Sequence, residues 1–156
     1  MAGLPGERES RTLERGAGVS DPLVVIDTSD IREGKLEELK AGLAELADFV
    51  EKNEAAPLAY HIYFDEDGTR MTVLQIHPDP ASMEHHMDVA APLFRRFTEL
   101  VDLIRVDFYG SPGEAVLEAT RRKAEVLGNA AVVVNELHAG FTRFEASTIG
   151  ERVRAG

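Results

Sequence analysis

The order of apolar patterns along the chain predicts an α+β domain of ferredoxin-like topology, β-α-β-β-α-β, with a four-stranded antiparallel sheet and an added C-terminal helix and strand. Three observations carry this expectation. Four stretches are aliphatic or alternating runs bounded by turn residues, as strands are. Two longer stretches repeat their apolar residues every three or four positions, as amphipathic helices do. Finally, 156 residues, 44% hydrophobic and 29% charged, suit one core rather than two.

Leu23 to Thr28 is a compact aliphatic run beside Ser29 and Asp30, the pattern of a buried first strand. Asp30 followed by Glu33 has the form of a capping box, and Leu36, Leu39, Leu43, Leu46 and Val50 then share one helical face. That helix is predicted to end near Asn53, ahead of Pro57. Leu58 to Phe64 and Arg70 to His77 flank the polar turn Asp65-Glu66-Asp67-Gly68-Thr69, which reads as a β-hairpin. Alternation sets Leu58, Tyr60, Ile62 and Phe64 on one face of its first strand and Ala59, His61 and Tyr63 on the other. Periodicity leaves open which of these faces lies under the helices and which meets a partner. Asp79-Pro80 then opens a second helix carrying Met83, Met87, Ala90, Phe94, Phe97 and Val101, and Pro92 predicts a kink or a break within it. Leu103 to Tyr109 alternates into a fourth strand with one polar face.

Ser111, Pro112 and Glu114 repeat the start signal, predicting a third helix from about Gly113 to Leu127 with a stop at Gly128-Asn129. Ala130 to Leu137, centred on Val132, Val133 and Val134, reads as a fifth strand, expected to pair with a sheet edge of this chain or of a partner. The organisation predicted is therefore a disordered tail over 1–20, the ferredoxin-like domain over 21–110, a helix-strand extension over 111–145 and a flexible tail over 146–156. Both helices of the split βαβ unit cover one sheet face. The other face is left bare, and a homodimer through sheet faces is the economical way to cover it.

Charge narrows the function. The 28 acidic and 17 basic residues give a net charge of −11, so the phosphate backbone of a nucleic acid would be repelled. No apolar run approaches the roughly 20 residues of a membrane helix, and the first twenty residues hold no apolar block that reads as a secretory signal. A cytoplasmic location is the expectation. The absence of cysteine removes disulfides, thiolate metal sites and cysteine nucleophiles.

Phosphate-loop, dinucleotide, hydrolase-elbow and zincin motifs are all absent, which turns attention to histidine. His85 and His86 are adjacent on the second helix and point about 100° apart, a poor grip for one metal ion, and no metal site is expected. His86 borders the apolar stripe, whereas His85 shares its side with Asp88 and Arg96 and should be solvated. His86 is thus the candidate for chemistry, with ordinary packing as the competing role. His77 and His138 fall in connections and receive no role. Arg95 and Arg96 read as a solvated face at the helix C-terminus.

The stretch Asp79-Pro80-Ala81-Ser82-Met83-Glu84-His85-His86-Met87, ending in Pro92-Leu93-Phe94-Arg95-Arg96-Phe97, resembles the second helix of the antibiotic-biosynthesis monooxygenase family of dimeric α/β barrels. The resemblance covers about residues 22–110 and rests on element order together with His86, Phe94 and Phe97. It implies two ferredoxin-like subunits joined sheet to sheet, each with a cavity between sheet and helices, and oxidation of phenols, quinols or anthrones by dioxygen with no metal or flavin cofactor. Haem-degrading relatives use an Asn, a Trp and the helix His. Here tryptophan is absent, and Asn53, Asn129 and Asn135 lie outside the first strand. Of that machinery His86 alone carries over, with Tyr60 or Tyr63 as pocket hydroxyls.

Two functions compete on this basis. In the first, His86 acts as general base on a phenolic or quinol-type substrate, and the resulting anion reacts with dioxygen in a dry cavity. The substrate would then contact Tyr60, His61, Tyr63, Met83, Met87, Phe94 and Phe97. In the second, the protein is a non-catalytic dimer that binds a small apolar or aromatic ligand or serves a structural role, with Met83, Met87, Phe94 and Phe97 filling the interior.

Overall fold

The computed structural model describes residues 21–144, so the tails predicted over 1–20 and 146–156 lie outside the described residues. The order is β1 (Leu23–Ile31), α1 (Leu36–Asn53), β2 (Ala59–Phe64), β3 (Arg70–His77), α2 (Pro80–Phe94), a 3-10 turn (Arg95–Phe97), β4 (Val101–Tyr109), α3 (Glu114–Leu127) and β5 (Gly128–Asn135). The strands form one sheet in the order β2-β3-β1-β4-β5. The first four are antiparallel, as the βαββαβ pattern requires, and β5 adds in parallel to β4, so the sheet is five-stranded and mixed. The extension pairs with the β4 edge of its own chain, with α3 as the crossover that a parallel pair needs.

Several local signals act differently from their sequence reading. Asp30 does not cap α1: β1 continues to Ile31, the Asp30 carboxylate binds Arg70 opposite it on β3, and the helix begins at Leu36 behind Lys35. Ser111 is not a cap either, because Gly113 precedes α3 with φ of 80°, a left-handed conformation that suits glycine. Asp79 does cap α2, its side chain accepting from the Ser82 N–H at 2.9 Å. Pro92 does not break that helix, which runs to Phe94 and tightens into the 3-10 turn only at Arg95; Val101, expected on the same helical stripe, instead opens β4. Pro92 stands exposed on the helix surface, where water can reach the carbonyl of Asp88 that its missing N–H leaves unbonded.

The core lies between the helices and one sheet face. Leu39, Leu43, Leu46 and Val50 of α1 and Met83, Met87, Ala90 and Phe94 of α2 pack over Val25, Met71, Val73, Val106 and Phe108. Each fully buried large apolar side chain contributes about 1.5–3 kcal/mol, so these stripes fix the helices on the sheet. A bulge in the β1–β4 register between Thr28 and Ser29 keeps both Leu103 and Val106 on the core face, although strict alternation would separate them. The opposite face carries Val24, Ile26, Leu74 and Ile76 beside exposed Tyr63 and Tyr109. No helix among the described residues is long and apolar enough to cross a membrane.

Candidate active site

Polar side chains gather under the helices at two places. His86, nearly two turns into α2, is 1% exposed. Its Nδ1 lies 3.0 and 2.9 Å from the two carboxylate oxygens of Glu54, the residue that closes α1 and is itself buried. An imidazole whose Nδ1–H is held by a carboxylate has a fixed ring orientation, and Nε2 is the atom left for proton transfer. Here Nε2 is buried and without a hydrogen-bond partner. The ring sits among Tyr60 at 5.5 Å, His77 at 5.8 Å and Phe94 at 6.4 Å between centroids.

His77 ends β3 with no exposure, contrary to its reading as a connecting residue. Its Nε2 meets Gln75 Oε1 at 2.9 Å and its Nδ1 meets Ser82 Oγ at 2.7 Å. With Nε2–H donating to the amide oxygen, Nδ1 accepts from the serine hydroxyl, so the network is satisfied by a neutral ring. Burial first, and then the neighbouring His86 ring, push this imidazole down to about 4.

The second group joins β1 to α3. Asp27 occupies an inward position of β1, between Val25 and Ser29, and its carboxylate Oδ2 accepts from the ammonium of Lys123; both side chains are almost fully buried. The other oxygen of Asp27, Oδ1, has no partner. Lys123 Nζ also lies over the Phe94 ring at 4.5 Å from its centroid, a cation–π contact. Burial, with the carboxylates of Asp27 and Glu54, raises the Tyr60 hydroxyl well above the usual phenol range, so it remains a donor at neutral pH.

Between these groups lies a cavity of about 40 Å³, lined by Asp27, Tyr60, Phe94, Phe97 and Lys123 among aliphatic side chains. It has room for a few waters and is much smaller than an aromatic ring. His86 does not line it directly; Tyr60 and Phe94, which touch the His86 ring, do. On the far side of Phe94 and Lys123 a groove of about 680 Å³ opens between α2 and α3. Phe94 and Lys123 are therefore the wall shared by cavity and groove.

The structure brings together His86, Tyr60, Phe94 and Phe97 of the candidate residues. Met83 and Met87 are buried, with Met87 also bordering the groove. His61 and Tyr63 do not belong to this site. The alternation of β2 turns Tyr60, Ile62 and Phe64 toward α1 and α2, and the His61 and Tyr63 side chains project from the opposite face, bonded to each other at 3.1 Å. Asp27, Glu54, His77 and Lys123 were missed by sequence reasoning. Two of them left a signal: Asp27 interrupts the inward face Leu23, Val25, Ser29 of a strand, and Lys123 falls on the α3 stripe of Val116, Thr120 and Leu127. No group of three or more His, Asp or Glu among the described residues is arranged to hold a metal ion.

No protein-family model matches the chain, and no curated protein matches it. Solved structures do. MupZ from Pseudomonas fluorescens superposes with a TM-score of 0.61 over 80% of this chain and 96% of its own, at 22% identity. SnoaB from Streptomyces nogalater, a cofactor-independent oxygenase, superposes with a TM-score of 0.51 over 61% of this chain and 97% of its own, at 10% identity. A proposed antibiotic biosynthesis monooxygenase from Deinococcus radiodurans gives a TM-score of 0.50 over 59% and 93%, at 18% identity. The resemblance in the second helix thus agrees with three-dimensional similarity, and the chain has the ferredoxin-like α+β fold of the antibiotic biosynthesis monooxygenase structures.

Proposed function

We propose that this protein is a cofactor-independent monooxygenase of the antibiotic-biosynthesis type, acting on a phenolic or quinol-type aromatic substrate, with His86 as its general base. The observation that carries the proposal is the buried Glu54–His86 pair, which commits Nδ1 and leaves Nε2 unpartnered behind Tyr60 and Phe94, two side chains that line the cavity. A base held this way needs no reorganisation to accept a phenolic proton. The largely apolar surroundings of Phe94, Phe97 and the aliphatic wall favour direct reaction of the resulting anion with dioxygen once the substrate has displaced water. Tyr60, held as a hydroxyl, can donate to the substrate oxygen. At about 40 Å³ the cavity admits an aromatic ring only if a wall moves. Phe94, which touches His86 and borders both spaces, is the side chain whose rotation joins them.

The same reading includes a homodimer through the bare sheet face, where Val24, Ile26, Leu74 and Ile76 are half buried in one subunit, and a cytoplasmic setting. The alternative, a non-catalytic ligand-binding or structural dimer, is favoured by one observation: Met83, Met87, Phe94 and Phe97 already pack the interior around His86.

Dissolved-oxygen uptake by metal-stripped protein against a panel of quinols, phenols and anthrones separates the two, run beside His86→Ala and His86→Gln. The glutamine variant retains a donor for Glu54, so a folding defect can be told from loss of the base. Uptake by the wild type that both folded variants lack is the expected result. A folded dimer with no uptake on any substrate overturns the oxygenase reading, and uptake undiminished in His86→Gln removes His86 from it.

A further inference from the structure

We propose that the groove between α2 and α3 is a binding site for an apolar carboxylate, whose anionic end is held by Arg95 and Arg122. The groove measures about 680 Å³, inside the range of about 300–1,000 Å³ typical of small-molecule sites. Its base is apolar, made by Met87 and Phe94, and the lining residues Ala91 and Ala119 are small, so their side chains leave the space between the helices unfilled. An aromatic or aliphatic body fits that surface.

The charges on its walls point to the sign of the ligand. Arg95 stands on the α2 side, Arg122 and Lys123 on the α3 side, against one carboxylate, Asp88. Lys123 is already committed to Asp27. Arg95 and Arg122 have no acidic partner among the described residues. Every other described lysine or arginine has one, from Arg32 with Asp102 to Arg121 with Glu114, except Arg143, which lies over the Phe141 ring. In a chain with 28 acidic against 17 basic residues, two unpartnered guanidiniums on opposite walls of one groove are a local reversal of the overall charge. A guanidinium matches a carboxylate with two parallel N–H donors, and a planar fork loses less freedom in doing so than an ammonium would. Arg96, next in sequence to Arg95, is turned to Glu45 of α1 and takes no part.

Both walls meet at Phe94 and Lys123, so the apolar end of a ligand anchored at the arginines lies against the partition in front of His86. As a binding site the groove stands on the charges and volume above. As the route by which a carboxylate-bearing aromatic substrate reaches His86, it rests on the oxygenase reading.

Calorimetric titration with 2-naphthoate and with its neutral analogue 2-naphthamide tests the site without any turnover. The wild type is expected to bind the acid about tenfold more tightly than the amide, the scale of one charge-assisted pair. In Arg95→Gln/Arg122→Gln that preference closes, and in Ala119→Trp, where an indole fills the groove, both ligands are lost. The substituted arginines are exposed and Ala119 is half-buried, and sizing with circular dichroism verifies each fold. Equal affinity for acid and amide in the wild type, no heat up to the solubility limit, or undiminished binding by Ala119→Trp each overturns the proposal. The acid–amide comparison needs no variant and stands even if one fails to fold. Failure of oxygen uptake leaves the groove intact, and failure of naphthoate binding leaves the role of His86 intact.

Discussion

Two buried pairs under the same helices are built by different parts of the chain. Glu54–His86 comes entirely from the β-α-β-β-α-β unit, one residue closing α1 and one on α2. Asp27–Lys123 ties β1 of that unit to α3 of the extension. Each leaves one buried atom unpartnered, Nε2 of His86 and Oδ1 of Asp27, and these are the two such side-chain atoms among the described residues. The chemistry differs: an imidazole can give and take a proton near neutrality, whereas a lysine locked to an aspartate is a fixed dipole. The first pair is therefore suited to proton transfer. The second pins the extension over the cavity, and its Asp27 carboxylate adds to burial and to Glu54 in raising the Tyr60 hydroxyl.

Removing one member of the fixed pair should have the largest effect. Lys123→Met leaves the Asp27 carboxylate buried alone and should cost about 3–5 kcal/mol of stability. Asp27→Leu/Lys123→Met removes both charges and should recover most of the loss, measured by urea denaturation. A Lys123→Met loss under about 1 kcal/mol would show that the pair is solvated in solution and not the tie described here. Glu54→Gln is the matching change at the other pair. It keeps a side-chain oxygen for the Nδ1–H of His86, so its effect should fall on oxygen uptake more than on unfolding.

A smaller effect separates the titrating network from the fixed one. The folded protein holds the His77 imidazole near 4, against 6.5 ordinarily, so between these values the unfolded chain binds the proton that the folded chain refuses. Stability from this group is complete above pH 6.5 and is lost as pH falls toward 4, by about 3 kcal/mol in all. His77→Gln cannot titrate, so its unfolding free energy should fall less than the wild type's from pH 7 to pH 4. Parallel pH profiles for the two proteins would assign the loss to other groups.

The sequence carried the element order because each helix and strand buries a periodic face, and periodicity is local information. Leu39, Leu43, Leu46 and Val50 mark α1 without reference to anything else. Helix starts were less legible, because a cap residue can be taken by a partner distant in sequence, as Asp30 is by Arg70. His86 was legible for its place on the apolar edge of α2, but Glu54, 32 positions away, was not, because nothing local sets a residue just past a helix end against another helix. Asp27 and Lys123 were visible as charges on inward positions. Their partnership was not, since it depends on α3 returning over β1 across 96 residues. The face of His61 and Tyr63 waited on which side of β2 the helices chose.

The smallest predicted effect addresses how that return is made. α3 passes into β5 with no loop, and Gly128 is the hinge residue: a Cβ there would stand 2.5 Å from the Leu103 carbonyl oxygen and 2.9 Å from its nitrogen. Its φ of 162° is extended backbone open to any residue, so the constraint is the approach of β5 to β4 and not the dihedral. Backbone atoms cannot swing aside as a side-chain tip can. Gly128→Ala must therefore lift the first residues of β5 from β4, at a cost of about 1–3 kcal/mol. That movement carries α3, and with it Lys123, while Glu54 and His86 lie in the unit that stays. Amide exchange in Gly128→Ala should accordingly quicken along β5 and α3 and remain slow around His86. Uniform quickening across α2 as well would show that the two pairs open together, and that the division drawn between them does not exist in solution.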